Sequence, residues 1–85
     1  MNIKIDNNKT GTFSTDNFQL AAYLVAESCT LLMADKFNPR RVLFVFEDSK
    51  QRKVLTQKFI SYQALVEPHR YFSAQKDLKQ LIYQE

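Results

Sequence analysis

The fold is decided by residues 40–48, which read Arg40-Arg41-Val42-Leu43-Phe44-Val45-Phe46-Glu47-Asp48. Five apolar residues, all common in strands, lie between a pair of arginines and a pair of acids. In an extended chain alternate side chains point to opposite faces, so both faces of this segment are apolar. Such a strand needs cover on both faces or a central position in a small sheet.

A second strand precedes the central one along the chain. We place these two strands at about residues 30–36 and 41–48, with Asn38 and Pro39 between them. Asparagine followed by proline favours a turn. Because the connection is short, we expect the two strands to be adjacent and antiparallel, as in a β-hairpin.

Residues 1–14 precede the main domain, which we place at residues 15–85. Ile3 and Ile5 alternate with polar residues in this first segment, and Gly11, the only glycine in the chain, marks a turn. We expect the segment to be either an edge strand of the sheet or an arm.

Apolar residues at helical spacing predict three helices, at about residues 17–28, 49–62 and 69–83. Thr15 or Asp16 is suited to cap the first helix. Asp48 with Gln51 three positions later forms a capping-box pattern at the second. Pro68 suits the first turn of the third.

The apolar faces of these helices predict how they pack. The first helix is apolar on two sides, so it is either wedged between layers or lends one side to another chain. The second should bury Leu55, Phe59 and Tyr62. The third should dock on the sheet through Tyr71, Ala74, Leu78, Leu81 and Ile82. The predicted fold class is therefore α+β, with a short antiparallel hairpin or sheet covered by three helices in the order α-β-β-α-α and a possible N-terminal strand.

Composition restricts the class of protein. Hydrophobic residues make up 45% of the 85 residues and charged residues 25%, as in a globular domain with a folded core. The net charge of +3 is compatible with a polyanionic partner, although solubility alone also explains it. No run of 18 apolar residues is present, and the single cysteine, Cys29, excludes an internal disulfide. We expect a cytoplasmic protein that does not enter a membrane.

The residue types needed for catalysis are scarce. His69 and Cys29 are the only histidine and cysteine and lie far apart in the sequence, which gives no zinc motif. One glycine cannot supply a phosphate-binding loop or a dinucleotide fingerprint. We therefore expect no enzyme activity, no metal site and no small-molecule cofactor.

The sequence feature that does point to a function is a candidate binding surface. Phe72, Lys76, Lys79 and Tyr83 are spaced four, three and four residues apart, so they share one face of the third helix. We call these four residues the aromatic-lysine stripe. Lysines grip phosphates and aromatic rings stack on bases in proteins that bind single-stranded nucleic acid. The positively charged surface would be extended by four further basic residues, Lys50, Lys53, Arg40 and Arg41.

Two other interpretations fit the same residues. The rings of the aromatic-lysine stripe would pack on a neighbouring helix, with the lysine stems lying over them. Alternatively, the two-sided helices at residues 17–28 and 69–83 would expose apolar area that a second copy or another protein covers. The partner is thus nucleic acid, another protein or the chain itself in a homodimer.

Three segments between residues 13 and 84 resemble a known family. The segments are Thr15-Asp16 with Leu20-Ala21-Ala22-Tyr23-Leu24, then Val42-Leu43-Phe44-Val45-Phe46-Glu47-Asp48, then Leu78-Lys79-Gln80-Leu81-Ile82-Tyr83. In order and spacing they are similar to a family of small prokaryotic and phage-borne domains described only as a domain of unknown function. The resemblance implies a free-standing cytosolic accessory domain, sometimes carried on mobile elements, and it transfers no catalytic residue.

Overall fold

The computed structural model describes residues 11–84. Its elements are β1 (Thr12–Thr15), α1 (Phe18–Ala26), β2 (Leu31–Asp35), β3 (Leu43–Glu47), α2 (Lys50–Ile60) and α3 (Pro68–Tyr83). The predicted α+β class, with one antiparallel sheet and three helices, is confirmed. β1 is an edge strand of the sheet, and the strand or arm predicted from Ile3 and Ile5 lies outside the described residues.

β3 is the central strand of the sheet. The strand order is β1-β3-β2, and both neighbours pair with β3 in the antiparallel sense. Phe44 and Phe46 are 2% and 0% exposed and form part of the core, while Leu43 and Val45 on the opposite face remain partly exposed. β3 is thus apolar on both faces because it is the central strand of the sheet. The described helices lie on the face that carries Phe44.

The connection between β2 and β3 turns at the predicted place. The Asn38 carbonyl accepts a hydrogen bond from the Arg41 amide at 3.0 Å, and the Asn38 side chain accepts one from the Arg40 amide at 3.0 Å. Pro39 occupies the position of this turn that its fixed φ angle suits. The strands that flank it are adjacent and antiparallel, as expected for a hairpin.

α1 is surrounded by other elements of the protomer, which favours burial within the fold as the reason for its two apolar sides. It contacts β1, α2 and α3, and Ala21, Ala22 and Leu24 are completely buried. Small side chains at Ala21 and Ala22 allow the close approach of neighbouring elements on either side. Both sides of α1 are thus covered within one protomer, so α1 offers no free apolar face to a second copy.

α3 packs against α1, and its C-terminal end accepts hydrogen bonds from Lys36, the residue that follows β2. Its buried residues, Ala74 and Leu78, join the same core cluster as the residues of α1. α1 and α3 therefore share one core with the inner face of β3.

The first helix begins one residue later than predicted. Asn17 caps α1, because its side-chain oxygen accepts a hydrogen bond from the Leu20 amide at 3.0 Å. Thr15 and Asp16 do not cap the helix, since Thr15 is the last residue of β1 and Asp16 forms an ion pair with Arg41 at 2.8 Å. Thr15 is used by the strand and Asp16 by the ion pair, so Asn17 is the residue that caps α1.

The second helix also uses a different cap. The Ser49 hydroxyl accepts a hydrogen bond from the Arg52 amide at 3.0 Å, which makes Ser49 the N-cap in place of Asp48. Asp48 instead accepts hydrogen bonds from the Ser49 amide and from Arg52 Nε, both at 2.8 Å. Gln51 is not part of a capping box, because its amide donates to the Glu27 carbonyl at 3.0 Å and ties α2 to the end of α1.

Arg52 is buried at the junction of α2 and the sheet. Its guanidinium lies 3.9 Å from the centre of the Phe13 ring and is paired with Asp48. A buried guanidinium needs such partners, because leaving it unpaired in a low-dielectric environment is strongly unfavourable. Arg52 therefore fixes the start of α2 over the inner side of β1.

α2 ends with a residue in the left-handed conformation. Tyr62 has φ of 62°, and the Gln63 amide donates to the Lys58 carbonyl at 2.8 Å, the pattern of a Schellman motif. α1 ends in the same way at Ser28, with φ of 73°. The predicted burial of Tyr62 is wrong: the chain leaves the helix at this point, and the Tyr62 side chain is 97% exposed.

Candidate nucleic-acid interface

α3 is held at both of its ends. At its start, the Glu67 carboxylate accepts a hydrogen bond from the Arg70 amide at 2.9 Å. At its end, Lys36 Nζ donates to the carbonyls of Leu81 and Gln84 at 2.9 and 2.6 Å. A cation at a helix C-terminus satisfies carbonyls that have no partner within the helix. The helix that carries the aromatic-lysine stripe is thus continuous and anchored to the β2–β3 connection.

The aromatic-lysine stripe faces away from the core. Phe72 is 63% exposed, Tyr83 is 78% exposed, and Lys76 and Lys79 are exposed between them. At 3.6 residues per turn the stripe lies about 140° around α3 from its buried residues and is about 16 Å long. In this protomer the rings do not pack on a neighbouring helix, which removes the first of the two alternative interpretations.

The charge along the stripe has one sign. Lys76 Nζ lies 6.0 Å from the centre of the Phe72 ring, within the range of a cation–π interaction. The one acid within α3, Asp77, lies on the flank that faces α1. A polyanion approaching the stripe therefore meets two ammonium groups and two rings without a carboxylate of α3 between them.

The other predicted basic residues lie elsewhere on the surface. Lys50 and Lys53 are exposed on the first turns of α2, after the end of β3. Arg40 and Arg41 are exposed before the start of β3, roughly 15 Å away along the strand. Arg41 is paired with Asp16, and this contact lowers the pKa of the Asp16 carboxyl. The structure does not bring these four residues together as one patch.

An open cleft that the sequence analysis missed lies beside the stripe. It has a volume of about 290 Å³ and lies between α3 and the end of α1. Its lining residues are Val25, Ala26, His69, Arg70, Ser73, Ala74 and Asp77. We call it the His69–Asp77 cleft. The spacing of His69, Ser73 and Asp77, four residues apart on one helix face, is the sequence signal that points to it.

A second concavity connects this cleft to the stripe. It has a volume of about 330 Å³ and is lined by Pro68, His69 and Phe72. His69 borders both concavities, so the surface is continuous from the Phe72 ring into the His69–Asp77 cleft. Arg70 is held at the cleft by its hydrogen bond to the Ala26 carbonyl and lies 3.9 Å from the Glu27 carboxylate.

Other kinds of site find little support between residues 11 and 84. This part of the chain contains no group of three His, Cys, Asp or Glu side chains placed to hold a metal ion. Cys29 is half-buried against the core, and burial raises the pKa of its thiol, so the reactive thiolate is disfavoured. None of the described helices combines the length and the apolar character that a membrane crossing requires.

Comparison with protein-family models gives a match over most of the chain. The family model described as Domain of unknown function (DUF5659) matches residues 10–84. The chain belongs to the DUF5659 family. No curated protein and no solved structure gives a significant match to this DUF5659 domain. The resemblance seen in the sequence to a domain of unknown function is therefore confirmed, and the function must be argued from the surface of the domain itself.

Proposed function

We propose that this DUF5659 domain is a non-enzymatic module that binds single-stranded nucleic acid through the aromatic-lysine stripe of α3. The observation that carries the proposal is the exposure of Phe72 and Tyr83, 63% and 78%, on a helix face whose charged residues are both lysines. Unpaired bases stack on exposed rings of this kind, and lysines neutralise the phosphates between the stacked bases.

The geometry of the stripe supports a single strand as the ligand. The two rings lie eleven residues apart on one continuous helix, about 16 Å, with the lysines between them. A strand can therefore stack one base at each end of the stripe while its backbone passes the two ammonium groups. Bases in a duplex are already stacked on each other, so rings at this spacing favour unpaired bases over a duplex.

Lys50, Lys53 and Arg40 contribute a weaker, longer-range attraction in this proposal. They are exposed but lie on other elements than the stripe. Exposed charges more than about 10 Å apart are largely screened at physiological salt, so these residues should affect the rate of encounter more than the affinity. Arg41 should add little, because Asp16 already neutralises it.

Fluorescence anisotropy with a labelled eight-nucleotide single strand tests the proposal. We expect saturable binding at low salt that weakens as salt rises, since lysines that bind phosphates displace the counterions of the nucleic acid. The double variant Lys76→Glu, Lys79→Glu should abolish measurable binding.

The matched control is Lys50→Glu with Lys53→Glu, which makes the same change in net charge on another helix. This control should retain most of the affinity. Equal loss in both double variants would show that binding depends on the overall charge of the protein, and the assignment to α3 would be wrong. Absence of binding by the wild type at low salt would refute the proposed function.

A protein partner or a second copy is the other candidate, and a different surface favours it. Ile60, Tyr62 and Leu65, at the junction between α2 and α3, are 64%, 97% and 87% exposed. We call these three residues the α2–α3 corner. Large exposed apolar side chains this close together in sequence are typical of interaction surfaces. A doubled mass in light scattering, lost in Ile60→Ser with Leu65→Ser, would support homodimerisation through this corner.

A further inference from the structure

The His69–Asp77 cleft lies directly beside the end of the aromatic-lysine stripe. At 3.6 residues per turn, Phe72, His69, Ser73 and Asp77 follow one another around α3 from the stripe toward α1. His69 lines both the cleft and the concavity at Phe72. A strand with one base stacked on Phe72 therefore has its next nucleotide at the mouth of the cleft.

The lining of the cleft suits one flat, polar-edged group. Val25, Ala26 and Ala74 provide small apolar side chains, and the four polar lining residues all come from α3. The volume of about 290 Å³ is at the small end of the range for ligand pockets, roughly 300–1,000 Å³. This combination is compatible with a single nucleobase lying against the open cleft.

The charged groups at the two ends of the cleft differ in what they recognise. Arg70 and Asp77 are seven residues apart, about 10 Å along the helix, which is comparable to the span from the phosphate to the far edge of the base in one nucleotide. A guanidinium has five N–H donors, and the bond to the Ala26 carbonyl uses only part of them. Arg70 therefore keeps donors for a phosphate while it remains anchored to α1, and the Glu27 carboxylate 3.9 Å away reduces the strength of this attraction.

We propose that the His69–Asp77 cleft binds one guanine base of the bound strand through Asp77, an inference that rests on the proposed function of the stripe. An ionised carboxylate has two oxygens that only accept hydrogen bonds. Guanine presents two adjacent donors, N1–H and N2–H, on its Watson–Crick edge. Adenine, cytosine and uracil place an acceptor beside their donor on this edge, so Asp77 can pair fully with guanine alone.

Oligonucleotides that differ in one base test this inference. The anisotropy of labelled U8 is compared with that of U8 in which one central base is replaced by guanine or by adenine. We expect the guanine-containing strand to bind the wild type roughly 5- to 100-fold more tightly, as for one bidentate base contact. Asp77→Asn should lose this preference, because the amide replaces one acceptor with a donor.

The matched control is Glu47→Gln, which removes one negative charge from an exposed carboxylate on β3. It should keep the guanine preference. A second variant, Ser73→Leu, fills the cleft without changing charge and should lose the preference as Asp77→Asn does.

The outcomes separate the two proposals. Equal affinity of the wild type for all three strands, or a guanine preference that persists in Asp77→Asn, overturns the role of the cleft and leaves the stripe as the binding surface. Failure of every strand to bind the wild type overturns both.

Discussion

Replacing Tyr62 by glycine should make the domain more stable. Tyr62 has φ of 62°, a conformation that disfavours an L-residue by about 1–2 kcal/mol. Glycine adopts this conformation freely but has more backbone entropy in the unfolded chain, which offsets about 0.5–1 kcal/mol of the gain. The ring is 97% exposed, so its removal should lose almost no buried area. We therefore expect the free energy of unfolding to rise by about 0.5–1 kcal/mol.

Urea and thermal unfolding, followed by circular dichroism, measure this change. For a domain of this size the expected gain corresponds to a rise in the melting temperature of about 2–8 °C. The backbone hydrogen bonds of the motif, including the one from the Gln63 amide to the Lys58 carbonyl, remain available to glycine. The dependence of the unfolding free energy on urea should stay unchanged, because the surface exposed on unfolding is nearly the same.

Tyr62→Ala is the control, since alanine removes the ring but keeps the unfavourable backbone conformation. We expect it to change stability by less than about 0.5 kcal/mol. A loss of stability in both variants would show that the Tyr62 ring makes contacts in solution and would refute the reasoning. If the α2–α3 corner instead joins two copies, both variants should lower the mass in solution.

Three further predictions concern the core and its charged residues. The hydrogen bond from Arg52 lowers the pKa of Asp48 in the folded state. The ionised Asp48 carboxylate therefore stabilises the fold at pH values above its unfolded pKa of about 3.9. This stabilisation is lost as the pH falls through the lower pKa of the folded state. Asp48→Asn should therefore flatten the acid-side decline in unfolding free energy, measured by urea titration at a series of pH values. Ala22→Leu should destabilise the domain by about 1–3 kcal/mol in the same assay, because Ala22 is fully buried. Cys29 should react more slowly with a thiol reagent in the native state than in urea, because burial raises its pKa.

Much of the fold could be predicted because its signals are local. The unbroken run of apolar, strand-forming residues in β3 and the Asn38-Pro39 pair identify the hairpin without knowledge of distant contacts. The spacing of Phe72 and Tyr83 on α3 likewise depends only on helix geometry. Each of these features depends only on residues that are close together in the sequence.

The features that sequence reasoning missed depend on contacts between distant residues. Arg41 engages Asp16, which leaves Asn17 to cap α1, and no local pattern distinguishes these candidates. An apolar helix face indicates burial but not the partner, so the docking of α3 on α1 could not be read from its spacing. The His69–Asp77 cleft exists only because the end of α1 lies beside α3.

Aromatic resonances observed during a titration with a single-stranded oligonucleotide test the central claim most directly. Stacking of bases should shift the ring resonances of Phe72 and Tyr83. Tyr62 and Phe37 serve as internal controls, because both are exposed and lie outside the aromatic-lysine stripe. Saturable shifts at Phe72 and Tyr83, with Tyr62 and Phe37 unchanged, are the predicted result. Unchanged Phe72 and Tyr83 resonances, or shifts of equal size at all four rings, would contradict it.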